Sequence, residues 1–176
     1  MTTFIHPVLN VEGANHTNPD GTVGGFVAST ASVASTAFVG PNAQVYDNAA
    51  VSGDARVSEF ARVFGHARVS GDAHVYVDAR VFGNAHVFGN AHVYGESQVS
   101  GGAWVYGDAQ VFGDAQVSDR AQVSGCVDVC GNARVFGNAA VSGGACVFGD
   151  AWVAGTARVA GNAQLSGDTQ LSIPQE

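Results

Sequence analysis

The sequence predicts an all-β chain wound into a triangular parallel β-helix, and three observations predict it. An aliphatic residue recurs every six positions from Val27 to Leu171 without insertion or deletion, 25 times in all, 23 of them Val. Two positions before it stands a small residue, Ala in 21 cases. Two positions after it stands Gly in most repeats from Gly53 onward, followed by Asp or Asn. A fixed short period marks a solenoid, whose units bury their apolar sides only against one another.

Each part of the unit A-x-V-(F/Y/S)-G-(D/N) follows from strand geometry. Alternation sends Ala and Val inward and the residue between them outward. Those outward residues include Arg56, Arg62, Arg68, Arg80, Gln98, Gln110 and Gln116, as a solvent face requires. Gly with Asp or Asn then turns the chain, because these residues tolerate positive φ or bond their own backbone. Six residues per strand and turn leave no room for a helix. Three units close a coil of 18 residues, and coils stack as parallel strands about 4.8 Å apart. Small Ala lets three walls meet near the axis while Val fills the space between them. About eight coils make a rod of roughly 40 Å.

Residues 1–26 lie outside the period and read as a lead-in and capping segment, 27–172 as the β-helix, and 173–176 as a tail. Phe4, Ile5, Val8, Leu9 and Val11 are expected to cover the first coil, whose open edge invites aggregation. His16 to Gly25 reads as a turn-rich loop, and Pro174 as a stop that cannot extend a ladder. No apolar run is long enough for a membrane helix, and the first residues lack the basic start and apolar stretch of a signal peptide. Cys126, Cys130 and Cys146 have no metal-ligand spacing, and their odd number fits a reducing compartment. The expected location is the cytoplasm, with virion association as the alternative. The net charge is −8 and there is no Lys, which argues against nonspecific nucleic-acid binding.

The run of A-x-V-x-G-x repeats resembles the hexapeptide-repeat left-handed parallel β-helix superfamily, which includes many acyltransferases and the γ-class carbonic anhydrases. The resemblance covers residues 27–171 and is nearest to uncharacterised bacterial or phage-encoded repeat proteins. It implies left-handed winding and a homo-oligomer, trimer or dimer. One departure stands out: the common repeat places Gly directly after the aliphatic residue, where this chain has Phe, Tyr or Ser. The resemblance also raises transferase-like or metal-dependent catalysis. Fold alone does not fix function. Acyl transfer needs a base in a cleft built by a protruding loop, and a six-residue count that never slips leaves no such loop. His66 at a turn is weak ground for a base. No catalytic residue and no cofactor is assigned.

Positions 18 apart stack into columns. One turn column carries Asp78, Glu96, Asp114, Asn132, Asp150 and Asp168, and carboxylates at that spacing are candidate Ca²⁺ ligands. His74 and His92 share a face, and His86 lies on the next; these are candidate zinc ligands between subunits, without the γ-class spacing. Aromatic residues follow many of the inward Val residues, as in Tyr46, Phe64 and Phe82. They read either as stacked ladders over the turns or as an apolar stripe buried between subunits. Trp104, Trp152, Phe26 and Phe38 take outward positions and are candidate contacts for a second subunit, a protein or a glycan.

Three function classes follow. The first is a noncatalytic structural or binding rod acting by self-association or partner docking. The second is a transferase-like or metal-dependent enzyme. The third is an acidic inhibitor that imitates nucleic acid toward a basic protein. The unbroken repeat and outward Trp residues favour the first, with no membrane contact.

Overall fold

The computed structural model describes residues 3–174; Met1 and Thr2 of the lead-in and Gln175 and Glu176 of the tail lie outside the described residues. After a short antiparallel start, every repeat forms a two- to four-residue strand at the predicted x-V position. Each strand pairs in parallel with the strand 18 residues on, as in His74↔His92 and Val75↔Val93. Three sheets result, of 11, 8 and 8 strands, and successive strands of the chain belong to successive sheets. The described residues contain no helix, so none is long and apolar enough to cross a membrane.

We name the faces in chain order. The first carries Phe26, Gln44, Arg62 and Arg80 outward, the second Ser32, Ala50, Arg68 and His86, and the third Phe38, Arg56, His74 and His92. The corner after each face takes its number. The inward assignment holds throughout: from Ala37 to Ala157 the Ala and Val positions are buried, nearly all of them completely. Ser97 and Val127 replace Ala without opening the core. The Ser97 hydroxyl donates to the Val111 carbonyl at 3.2 Å, and Val127 is fully buried.

At the corners the residue after Gly donates its backbone N–H to the Gly carbonyl of the next coil, as Asn90 does to Gly107 at 2.8 Å. This brings glycine onto glycine. Gly89 has φ +72, and a Cβ there would lie 3.0 Å from the Gly107 nitrogen. At four corners between Asp47 and Asp119 another residue takes this place and the backbone keeps its left-handed turn, at Asp47, Glu59, Val77 and Asp119 with φ between 56 and 63. Two of these offset the conformational cost with a bond upward: Asp47 and Asp119 accept the N–H of Gly65 and Gly137 at 3.1 and 2.9 Å. Val77 has no such group.

The lead-in differs from the sequence reading. β1 (Phe4–Ile5), β2 (Glu12–Thr17) and β3 (Val23–Ala28) form an antiparallel meander that extends the first sheet, so the expected loop over His16 to Gly25 shrinks to the turn between β2 and β3. The apolar residues assigned to the cap stay largely in solvent, with Phe4, Ile5 and Val8 at 42, 66 and 84 % exposure. Two polar residues do the capping instead. On the third face the first strand of the solenoid, Phe38–Val39, has no coil below it. The Val39 N–H donates to Asn18 Oδ1 at 2.8 Å, and His16 Nε2 lies 3.0 Å from the Ala37 carbonyl. A carbonyl only accepts, so Nε2 carries the proton. Both side chains are buried, and an unpaired edge group there would cost about 1–3 kcal/mol.

Candidate interaction surface

With Ala and Val consumed by the core, function falls to the outward positions, and these sort by charge. Six of the seven Arg stand on flat faces: Arg62, Arg80 and Arg134 on the first, Arg68 and Arg158 on the second, Arg56 on the third. Eleven of the 15 carboxylates stand at the corners of the solenoid instead, the longest column being Asp78, Glu96, Asp114, Asp150 and Asp168 at the third corner. The separation follows from local structure. The face position is extended and suits long side chains that lie flat, whereas the turn favours short Asp and Asn. Two acidic columns are relieved by amides: Asn90 Nδ2 donates to Asp108 and Asn132 Nδ2 to Asp150, each at 2.9 Å.

The aromatic residues after Val form ladders. Tyr46, Phe64 and Phe82 stack at the first corner with centroids 4.9 and 5.0 Å apart and ring planes nearly parallel. Tyr76, Tyr94 and Phe112 do the same at the third corner, and Phe88 with Tyr106 at the second. All are half-buried, and the spacing is that of the coils themselves. The ladder reading is therefore the one the geometry favours.

The candidate contact residues divide. Trp104 and Trp152 are exposed at 45 and 37 %. Trp104 stacks on His86 at 5.3 Å, with Phe88 edge-on beneath, while Trp152 has Phe136 edge-on and the Arg134 guanidinium 5.3 Å from its ring. Phe26 is a correction: it is 5 % exposed, covered by the antiparallel meander through Phe4 and His6, whose rings lie 5.6 and 4.7 Å away. Its outward direction was right, but the lead-in packs over it. Phe38 is half-buried under Arg56, 4.4 Å from the guanidinium carbon. Phe60, outside those candidates, is exposed at 59 % in the third corner. Its signal was the loss of the turn Gly in Ser58-Glu59-Phe60.

The titratable candidates are spread along the rod. His74 and His92 are neighbours, ring centroids 4.9 Å apart, while His86 stands on another face. Asp78, Glu96 and Asp114 follow one another up the third corner. Among the described residues no three His, Cys, Asp or Glu side chains group as metal ligands. Partial burial, then the His92 ring and the Arg56 guanidinium, push the His74 imidazole below its ordinary value; burial and Arg68 do the same for His86. Burial, with Cys146 and Asp128 nearby, pushes the Cys130 thiol up, away from the reactive thiolate. A cavity of about 590 Å³ opens beneath the first coil, lined by Ala14, Val27, Ala31 and Val33 with His16 and Asn18 at its polar side.

Three stretches of the chain, 43–59, 61–76 and 129–143, match the family model described as YdcK beta solenoid repeat. With the 18-residue register and parallel sheets above, that decides the class. The chain is a β-solenoid repeat protein with 18-residue coils. No curated protein and no solved structure matches it. The matched stretches include His66, His74 and the Tyr46–Phe64 stack, so the solenoid's recognised portions carry its ordinary repeat chemistry.

Proposed function

We propose that this solenoid is a noncatalytic structural or binding rod that works by contact, through self-association or by docking a protein or glycan partner. The observation that carries the reading is the surface: an unbroken core with charge sorted into faces and corners and two Trp side chains standing outward. Exposed aromatics beside Arg and Gln are common anchors of protein interfaces. A cytoplasmic or virion-associated location and a phage or bacterial source belong to the same proposal.

Native mass spectrometry of the purified protein tests it. The expected result is an assembly of two or more chains with no metal or small molecule retained. An acyl donor or about one zinc held per subunit contact would overturn the noncatalytic reading in favour of a transferase-like or metal-dependent enzyme. A strictly monomeric chain that tightly captures basic nucleic-acid-binding proteins would favour the inhibitor instead.

A further inference from the structure

We propose that two copies associate side by side, in parallel and coil for coil, each laying its acidic third corner along the basic first face of the other. The inference rests on the self-association reading and specifies its surface. The third corner and the first face adjoin in every coil. The corner presents Asp78, Glu96 and Asp114, then Asp150 and Asp168; the face presents Arg62, Arg80 and Arg134 with no carboxylate in its column. Both columns climb with the same 18-residue step: at equal height Arg80 faces Asp78, and Arg62, Arg80 and Arg134 each have a carboxylate one coil up, at Asp78, Glu96 and Asp150, about 4.8 Å along the rod and within reach of a long Arg side chain.

Symmetry selects the direction. A two-fold axis parallel to the rods places each third corner over the other copy's first face and keeps equal residues at equal height, so that Asp78 and Arg80 of one copy meet Arg80 and Asp78 of the next. An axis perpendicular to the rods would set the two acidic corners on the same side. Each corner-on-face strip is about 40 Å long and about 10 Å wide. Two strips cover roughly 800 Å² per copy, the size of an ordinary stable interface. Trp152 lies in the first-face column above Arg134, within the strip, whereas Trp104 is on the second face and outside it. Such a contact is isologous and closed, so it yields a dimer rather than a growing sheet of rods.

Charge reversal tests the arrangement. One variant carries Arg62→Glu and Arg80→Glu; the other carries Asp78→Arg and Glu96→Arg. All four sites are outward, so both variants are expected to keep the wild-type melting temperature within a few degrees. In sedimentation equilibrium at about 50 mM salt, each variant alone is expected to associate at least tenfold more weakly than wild type. An equimolar mixture is expected to recover association, because both strips then pair opposite charges. On a Trp104→Phe background, Trp152 emission should shift to shorter wavelength in the mixture and not in either variant alone. Variants that associate as tightly as wild type would overturn this surface while leaving self-association standing. A wild-type chain that stays monomeric at 100 µM would overturn both.

Discussion

Replacing Gly89 with Ala is the sharpest test of coil stacking. Gly89 has φ +72, and left-handed backbone costs an ordinary residue about 1–2 kcal/mol. Against this, Ala restricts the unfolded chain and recovers about 0.4–1 kcal/mol. Conformation alone therefore predicts a loss of about 0.5–1 kcal/mol. Gly89 also faces the next coil, where a Cβ would stand 3.0 and 3.1 Å from the Gly107 nitrogen and oxygen. Those atoms belong to backbone fixed by strands on both sides, so accommodation resembles overpacking and adds about 1–2 kcal/mol. The expected total is about 1.5–3 kcal/mol by urea denaturation. Gly161 provides the comparison: its φ is +67, but nothing lies within 4 Å of its Cβ position. Gly161→Ala should cost about 1 kcal/mol or less. Val77→Gly is the reverse experiment in the rod interior, removing a branched side chain from φ 63, and is expected to stabilise by up to about 1 kcal/mol. Equal costs for the two Ala variants, or a Gly89→Ala protein within about 0.5 kcal/mol of wild type, would refute the stacking argument.

Other expectations are read by similar assays. Val105→Asp places an unpaired carboxylate in a fully buried stack and should cost at least about 3–5 kcal/mol or prevent folding, while exposed Gln110→Ala stays within about 0.5 kcal/mol. Phe64 stacks on both sides and Phe82 on one, so Phe64→Ser should lose about 1–3 kcal/mol and Phe82→Ser about half of that in thermal denaturation. Asn18→Leu strands the Val39 N–H and should cost about 1–3 kcal/mol, with hydrogen exchange at Val39 accelerating first. The pKa values of His74 and His86 are lowered from 6.5, so the unfolded chain binds more protons just below that value. Their contribution is complete above about pH 6.5 and shrinks as pH falls toward their folded values. Melting temperature should therefore drop between pH 7 and 5, and less steeply in the double variant His74→Gln, His86→Gln.

The solenoid was legible because each coil repeats one local instruction. Ala at −2 and Val at 0 fix which side is inward, and an 18-residue register follows once three units close. The lead-in was not legible, because nothing in residues 1–26 repeats. Pairing β2 with β3 depends on a tertiary contact: Gly13 leaves room for the Phe26 ring, which would lie 2.6 Å from a Cβ there. That contact turned an outward Phe26 into a buried one. Capping by Asn18 and His16 was hidden for a similar reason, since an apolar list suggested a cover while the open edge needed hydrogen-bond partners. The surface was half-legible. Trp104 and Trp152 could be placed outward from alternation, but the sorting of Arg to faces and carboxylates to corners became visible only when columns were assigned to sheets.

The coil length has a consequence for heredity. Losing six residues would rotate everything downstream by one face, so each face and corner column would continue into that of a different face or corner and the aromatic ladders that span the deletion would break. Losing or gaining 18 would leave every sheet, corner and stack intact and change only how far the rod reaches. Whole-coil duplication is thus a mutation that this architecture accepts, and reach can be tuned by copying DNA in units of 54 nucleotides without redesigning a single contact.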